Sequence, residues 1–138
     1  MKINKTGGKN ILFYNYDLEK IVSKEHVLRK VNNIVKFSQI VGKFKNSLKK
    51  LGRKGYSLEV GLKSLFLQFF YDLSDRQLEE GLRDNNAYKW FCGFSIEEKT
   101  PDHSYFGRIR KMLGTAMISR IFEQIKEESK NSGIIMLP

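Results

Sequence analysis

The sequence predicts an all-α fold: a compact multi-helix bundle that contains a loosely spaced helix-turn-helix-like unit and carries a basic N-terminal arm. Apolar residues recur at helical spacing in one stretch after another, and capping residues, glycines and asparagines punctuate them. No stretch sustains the alternation of a half-buried strand, and only Pro101 and Pro138 interrupt the 138 residues. A hydrophobic share of 41%, with aromatic residues making up 12% of the chain, supplies enough apolar surface for the core of one domain.

Residues 11–22 begin extended and aromatic and then turn helical. Ser23 is placed to cap a helix running to about Lys36, with Val27, Leu28, Val31, Ile34 and Val35 on one face. Phe37, Ile40, Val41, Phe44 and Leu48 line the next amphipathic stretch with lysines opposite, and Gly52 and Gly55 close it. Ser57 caps a helix that is apolar nearly all round, from Leu58 to Phe70, and such a helix belongs in the middle of a bundle. Asp72 and Leu73 break it. Ser74 and Gln77 then form a capping box opening a short helix with Leu78 and Leu82. Asn85 and Asn86 reset the chain, Ala87 to Phe91 is aromatic-rich, and Gly93 closes that turn.

Residues 94–100 read as a loop. Thr100 and Pro101 read as N-cap and first helical residue, with Asp102 in the first turn. The helix they start places Tyr105, Phe106, Ile109, Met112 and Leu113 on its core side. Its other side shows His103, Ser104, Gly107, Arg108, Arg110 and Lys111. Gly114 ends it, and Thr115 caps a last helix built on Met117, Ile118, Ile121, Phe122 and Ile125 that Gly133 stops. The expected organisation is therefore a basic arm with helices over 1–55, a helical core over 56–133, and a tail, 134–138, that reads as the start of a strand.

The net charge of +10 is unevenly spread. Residues 1–55 hold 14 Lys and Arg against three acids, whereas 56–138 hold 11 against 12. Lys36, Lys43, Lys45, Lys49, Lys50, Arg53 and Lys54 follow one another with no acid between them. Such a run attracts a polyanion, because every neutralised phosphate releases condensed counterions. The single cysteine, Cys92, allows no internal disulfide and fits a reducing compartment. No apolar run is long enough to span a bilayer, and no apolar segment follows the early lysines as in a secretory signal. The expected location is the cytoplasm, in association with the nucleoid.

The unit from Leu73 to Gly114 pairs a short capped helix with a basic-faced one, over a connection longer than that of a tight helix-turn-helix. Recognition helices meet base edges near their N-terminal half, which here presents His103, Ser104 and Arg108. Arg110 and Lys111 follow, and no acid appears between Asp102 and Glu123. Arginine can read guanine bidentately, while serine and histidine can hold phosphate or base. Trp90 and Phe91 read as core rather than as a base-stacking platform. Asp72, Asp75, Glu79 and Glu80 read as capping and dipole residues. No zinc spacing, phosphate loop or nucleophile motif is present, so the expectation is no metal, no cofactor and no self-contained active site.

The stretch from Gly52 to Gly114 closely resembles the N-terminal domain of bacterial insertion-sequence transposases of the IS-five type. The resemblance rests on the Y-x-L-S-D-R turn (Tyr71, Leu73, Ser74, Asp75, Arg76) and the L-E-E after it. The W-F-x-G turn (Trp90, Phe91, Gly93), the P-D-H-S start (Pro101 to Ser104) and the R-x-R-K stretch (Arg108, Arg110, Lys111) complete it. Upstream, KEHVLRKV resembles the family's D-H-L-L-R-K-I segment, with Ser23 where a proline is common. The resemblance implies double-stranded DNA as partner, through binding to the element's terminal repeats, with self-association or a separately encoded catalytic half beside it. It also implies that divalent metals belong to an RNase-H-like catalytic domain whose acids would lie beyond Pro138. Two other readings stay open: a helical interaction or dimerisation module, motivated by the apolar 57–71 helix, and an RNA-binding protein using the same lysines.

Overall fold

The computed structural model describes residues 17–44 and 55–131, and every described element is helical. In chain order these are α1 (Leu18–Ile21), α2 (Val27–Ile34), α3 (Phe37–Phe44), α4 (Leu58–Tyr71), α5 (Asp75–Asp84), α6 (Asn86–Cys92), α7 (His103–Leu113) and α8 (Thr115–Asn131). The all-α expectation holds. The N-terminal lysines, the run from Lys45 to Lys54, and the expectations placed on Leu48, Gly52, Gly133 and the 134–138 tail lie outside the described residues.

Helix α4 is the hub, packed against α3, α5, α6 and α7. Phe66 and Leu67 on it have no exposed surface, and Leu62 and Leu65 have almost none. Phe37, Phe66 and Phe91 form a triangle of rings 5.5–5.7 Å apart, which joins α3, α4 and α6. Edge-on and tilted arrangements bring the positive rim of one ring toward the negative face of the next. Phe69 turns outward to meet Phe122 of α8 at 5.2 Å. The exposed large apolar residues among those described are Ile21, Val27 and Met112, none of them on α4.

Local chemistry sets the boundaries. Ser57 Oγ accepts from Val60 N, and Asp72 ends α4 in the left-handed region at φ 55°. The predicted capping box is present: Ser74 Oγ accepts from Gln77 N at 3.1 Å, and Gln77 Oε1 accepts from Ser74 N at 2.8 Å. Asn85 ends α5 and caps α6, and Gly93 closes α6 at φ 89°.

Two capping expectations are corrected. The helix expected to start at Ser23 is capped instead by His26, whose Nδ1 accepts from Leu28 N to open α2, while Asp17 caps the separate α1. Ser23 instead closes the turn between them, where its hydroxyl accepts from Glu25 N. At α7 the cap is Asp102, not Thr100. Its Oδ1 accepts from Ser104 N at 3.1 Å and Tyr105 N at 3.2 Å, and the helix starts at His103. A carboxylate with two lone-pair sites can serve two free amides at once, which a threonine further upstream cannot reach.

Long-range polar contacts fix the outer helices. Arg29 lies 4.6 Å over the Trp90 ring and donates to Glu19 Oε2 at 2.7 Å, while Trp90 Nε1 donates to Glu19 Oε1 at 2.7 Å. This clamp ties α1 and α2 to α6, and gives Trp90 a polar handle while Phe91 enters the core. Helix α8 runs antiparallel to α3: Arg120 stands over Phe44, Lys43 donates to Gln124, and Lys36 N donates to Glu128.

Candidate nucleic-acid interface

Helix α7 separates cleanly into two sides. Phe106, Ile109 and Leu113 are buried against the bundle, whereas Ser104, Arg108, Lys111 and Met112 are exposed. The exposed set repeats at three- and four-residue steps, so hydroxyl, guanidinium and ammonium share one line along the helix.

The residues of this helix have different environments. His103 faces α5, where Glu79 Oε1 accepts from its backbone N–H at 2.6 Å and lies 2.7 Å from its Nδ1. Those hydrogen bonds hold the Glu79 carboxyl below its usual range. Ser104 Oγ donates to Asp102 Oδ1 at 2.7 Å and accepts from Arg108 Nη1 at 3.0 Å. Arg108 is thus steadied by a neutral neighbour one turn back, and its guanidinium stays in solvent. Arg110 has a different environment. Its Nη1 and Nη2 meet Asp75 Oδ1 and Oδ2 at 2.8 and 2.9 Å, and Nη1 also reaches Gln68 Oε1 at 2.8 Å. This two-pronged pair lowers the Asp75 carboxyl and raises the arginine. It bolts α7 to α4 and α5, leaving that fork committed within the fold.

Of the front-half lysines assigned to the interface, the structure describes Lys43, exposed at the end of α3 with Nζ 3.0 Å from Gln124 Oε1. Lys45, Lys49, Lys50, Arg53 and Lys54 lie outside the described residues. Their flanks are placed: Phe44 sits under Arg120 of α8, and the Tyr56 ring packs 5.3 Å from Tyr105 of α7. Arg120, exposed beside Phe44, adds a cation that sequence reading did not single out. The acid-free window between Asp102 and Glu123 was the signal that contained it.

A cleft of about 400 Å³ lies between α5, α6 and the 96–102 loop. Both signs of charge line it, and buried Lys89 spans it to the Ile96 carbonyl at 3.1 Å. Among the described residues no group of three or more His, Cys, Asp or Glu is arranged to hold a metal ion. No described helix is long and apolar enough to cross a membrane.

The fold and this surface define an all-helical domain with a cationic outer helix braced from behind by carboxylates. The chain belongs to a transposase family: the family model described as "Transposase domain (DUF772)" matches residues 16–112, which span α1 to nearly the end of α7. No solved structure matches the chain.

Proposed function

We propose that this chain is the duplex-DNA-binding portion of an insertion-sequence transposase of the IS-five type, holding the terminal repeats of its element. Membership of the transposase family makes DNA the natural polyanion for a chain of net charge +10. The observation that carries the reading is the solvent-facing line of Ser104, Arg108 and Lys111 on α7, whose cations form no ion pair with a described carboxylate. In this reading α7 lies against the duplex, and α5 supports it through Glu79 and Asp75, so the two form a helix-turn-helix-like unit. Helix α6 and the loop after it lengthen the connection between them. Lys43, Arg120 and the lysines from Lys45 to Lys54 add phosphate contacts along the flank. Strand cleavage falls to the metal-holding acids of an RNase-H-like domain, and this chain supplies the grip.

The test is a gel-shift titration of Arg108→Ala/Lys111→Ala against the unaltered chain. Removing two phosphate- or base-facing cations is expected to weaken binding on the order of tenfold or more at low salt. Unchanged affinity would remove α7 from the interface. Competition with structured RNA distinguishes the remaining polyanion, since preference for RNA would overturn the duplex assignment.

A further inference from the structure

Four glycines fall inside described helices, and packing accounts for two of them. A Cβ on Gly81 would stand 2.6 Å from the Tyr88 ring, and one on Gly61 would stand 3.1 Å from the Tyr105 hydroxyl. Those positions let α6 and α7 close on their neighbours. Gly42 in α3 would meet nothing within 4 Å, and Gly107 in α7 would meet only Arg110 Nη2 at 3.8 Å, an ordinary contact. Neither has a positive φ. Glycine is the least favourable residue inside a helix after proline, so the fold gains nothing from it at these two positions. Each immediately precedes a cation assigned to the interface, Lys43 or Arg108.

Gly107 has the more telling surroundings. On the helix surface it neighbours His103 and Ser104 one turn before it and Arg110 and Lys111 one turn on, of which Ser104 and Lys111 are exposed. The missing side chain leaves a notch flanked by the Ser104 hydroxyl and the Lys111 ammonium, and Arg108 comes to it only by folding back onto Ser104. Ser104 Oγ holds Arg108 Nη1 at 3.0 Å and keeps it at the notch. Asp102, the nearest acid along the chain, spends its Oδ1 on capping α7 and on the Ser104 hydroxyl. The Arg110 fork is occupied by Asp75 and Gln68 and does not compete.

We propose that this notch seats a backbone phosphate of the duplex, gripped by Arg108 and Lys111, and that the absence of a side chain at Gly107 sets how closely the helix approaches the strand. The inference rests on the duplex-binding reading and sharpens it: at this point α7 holds the sugar-phosphate backbone rather than reading a base. Phosphate contacts fix register but carry no direct sequence information. Loss of the seat should therefore weaken binding to any duplex equally.

The experiment compares the full chain with Gly107→Ala, Gly107→Gln and Arg108→Ala on two labelled duplexes of unrelated sequence, by fluorescence anisotropy over a salt series, with thermal melts alongside. Both Gly107 variants should melt at or above the unaltered chain, because each improves helix propensity. Gly107→Gln should bind both duplexes roughly tenfold more weakly, with the slope of log affinity against log salt shallower by about one. Gly107→Ala, which adds one methyl group in open space, should show the same loss in smaller degree and keeps the test valid if glutamine disturbs the fold. Binding by Gly107→Gln as tight as the unaltered chain's would overturn the seat, as would a loss confined to one duplex. Failure of the unaltered chain to bind either duplex is a separate result that removes the duplex reading itself.

Discussion

Arg108 and Arg110 stand two positions apart on α7, and their surroundings divide their roles. Arg108 leans on a serine and faces solvent; Arg110 gives both terminal nitrogens to Asp75. Replacing Arg110 by alanine leaves the Asp75 carboxylate and the Gln68 carbonyl without their donor. With both sides of the pair about a third exposed, the expected loss of stability is about 1–2 kcal/mol, read by chemical denaturation. A loss of DNA affinity with no change in stability would instead make Arg110 a contact residue. Protonation acts on the same level. Glu19, held by Trp90 and Arg29, is lowered from 4.5 to about 2, and Asp75, Glu79 and Asp102 are lowered as well. Carboxylates depressed in the folded state stabilise it above their unfolded values, and that contribution disappears as pH falls through the folded ones. Melting temperature should therefore hold above about pH 4.5 and fall toward pH 2, and Glu19→Gln should flatten part of that fall. A melting temperature that rises on acidification would contradict these assignments.

Among the elements, most of the boundaries decided by neighbouring residues were legible in the sequence, the caps of α2 and α7 being the exceptions. The Ser74–Gln77 box, the break at Asp72, the reset at Asn85 and the Gly93 stop are all decided within four residues; that Asp72 takes a left-handed conformation and that Asn85 serves two helices came from the structure. The start of α7 was misjudged because Thr100, Pro101 and Asp102 offer two competing caps. Pro101 suits a first helical turn, but the carboxylate of Asp102 reaches two amides and prevails. Replacing Asp102 by alanine should lower the melting temperature, and replacing Thr100 should leave it in place; the reverse pattern would restore the threonine cap. The bracing of α7 could not be read in advance. Asp75 and Arg110 are 35 residues apart, Glu79 and His103 24 apart, and no periodicity links them. That is why His103 and Arg110 looked like free donors on a basic face, when the fold turns both toward α5.

At the scale of the whole molecule, a helical core centred on Phe66 carries its basic residues outward along α7 and around the junction of α3 with α8. Composition alone pointed to a polyanion, since the charge is concentrated in the first 55 residues. Which cations remain available to it emerges only from the fold. Cations gripping a duplex displace its condensed counterions, and the salt dependence of binding measures that directly. If about six phosphates are engaged, affinity should fall roughly 10³-fold or more between about 50 and 200 mM salt. Binding that is absent at low salt, or that stays level across that range, would contradict it.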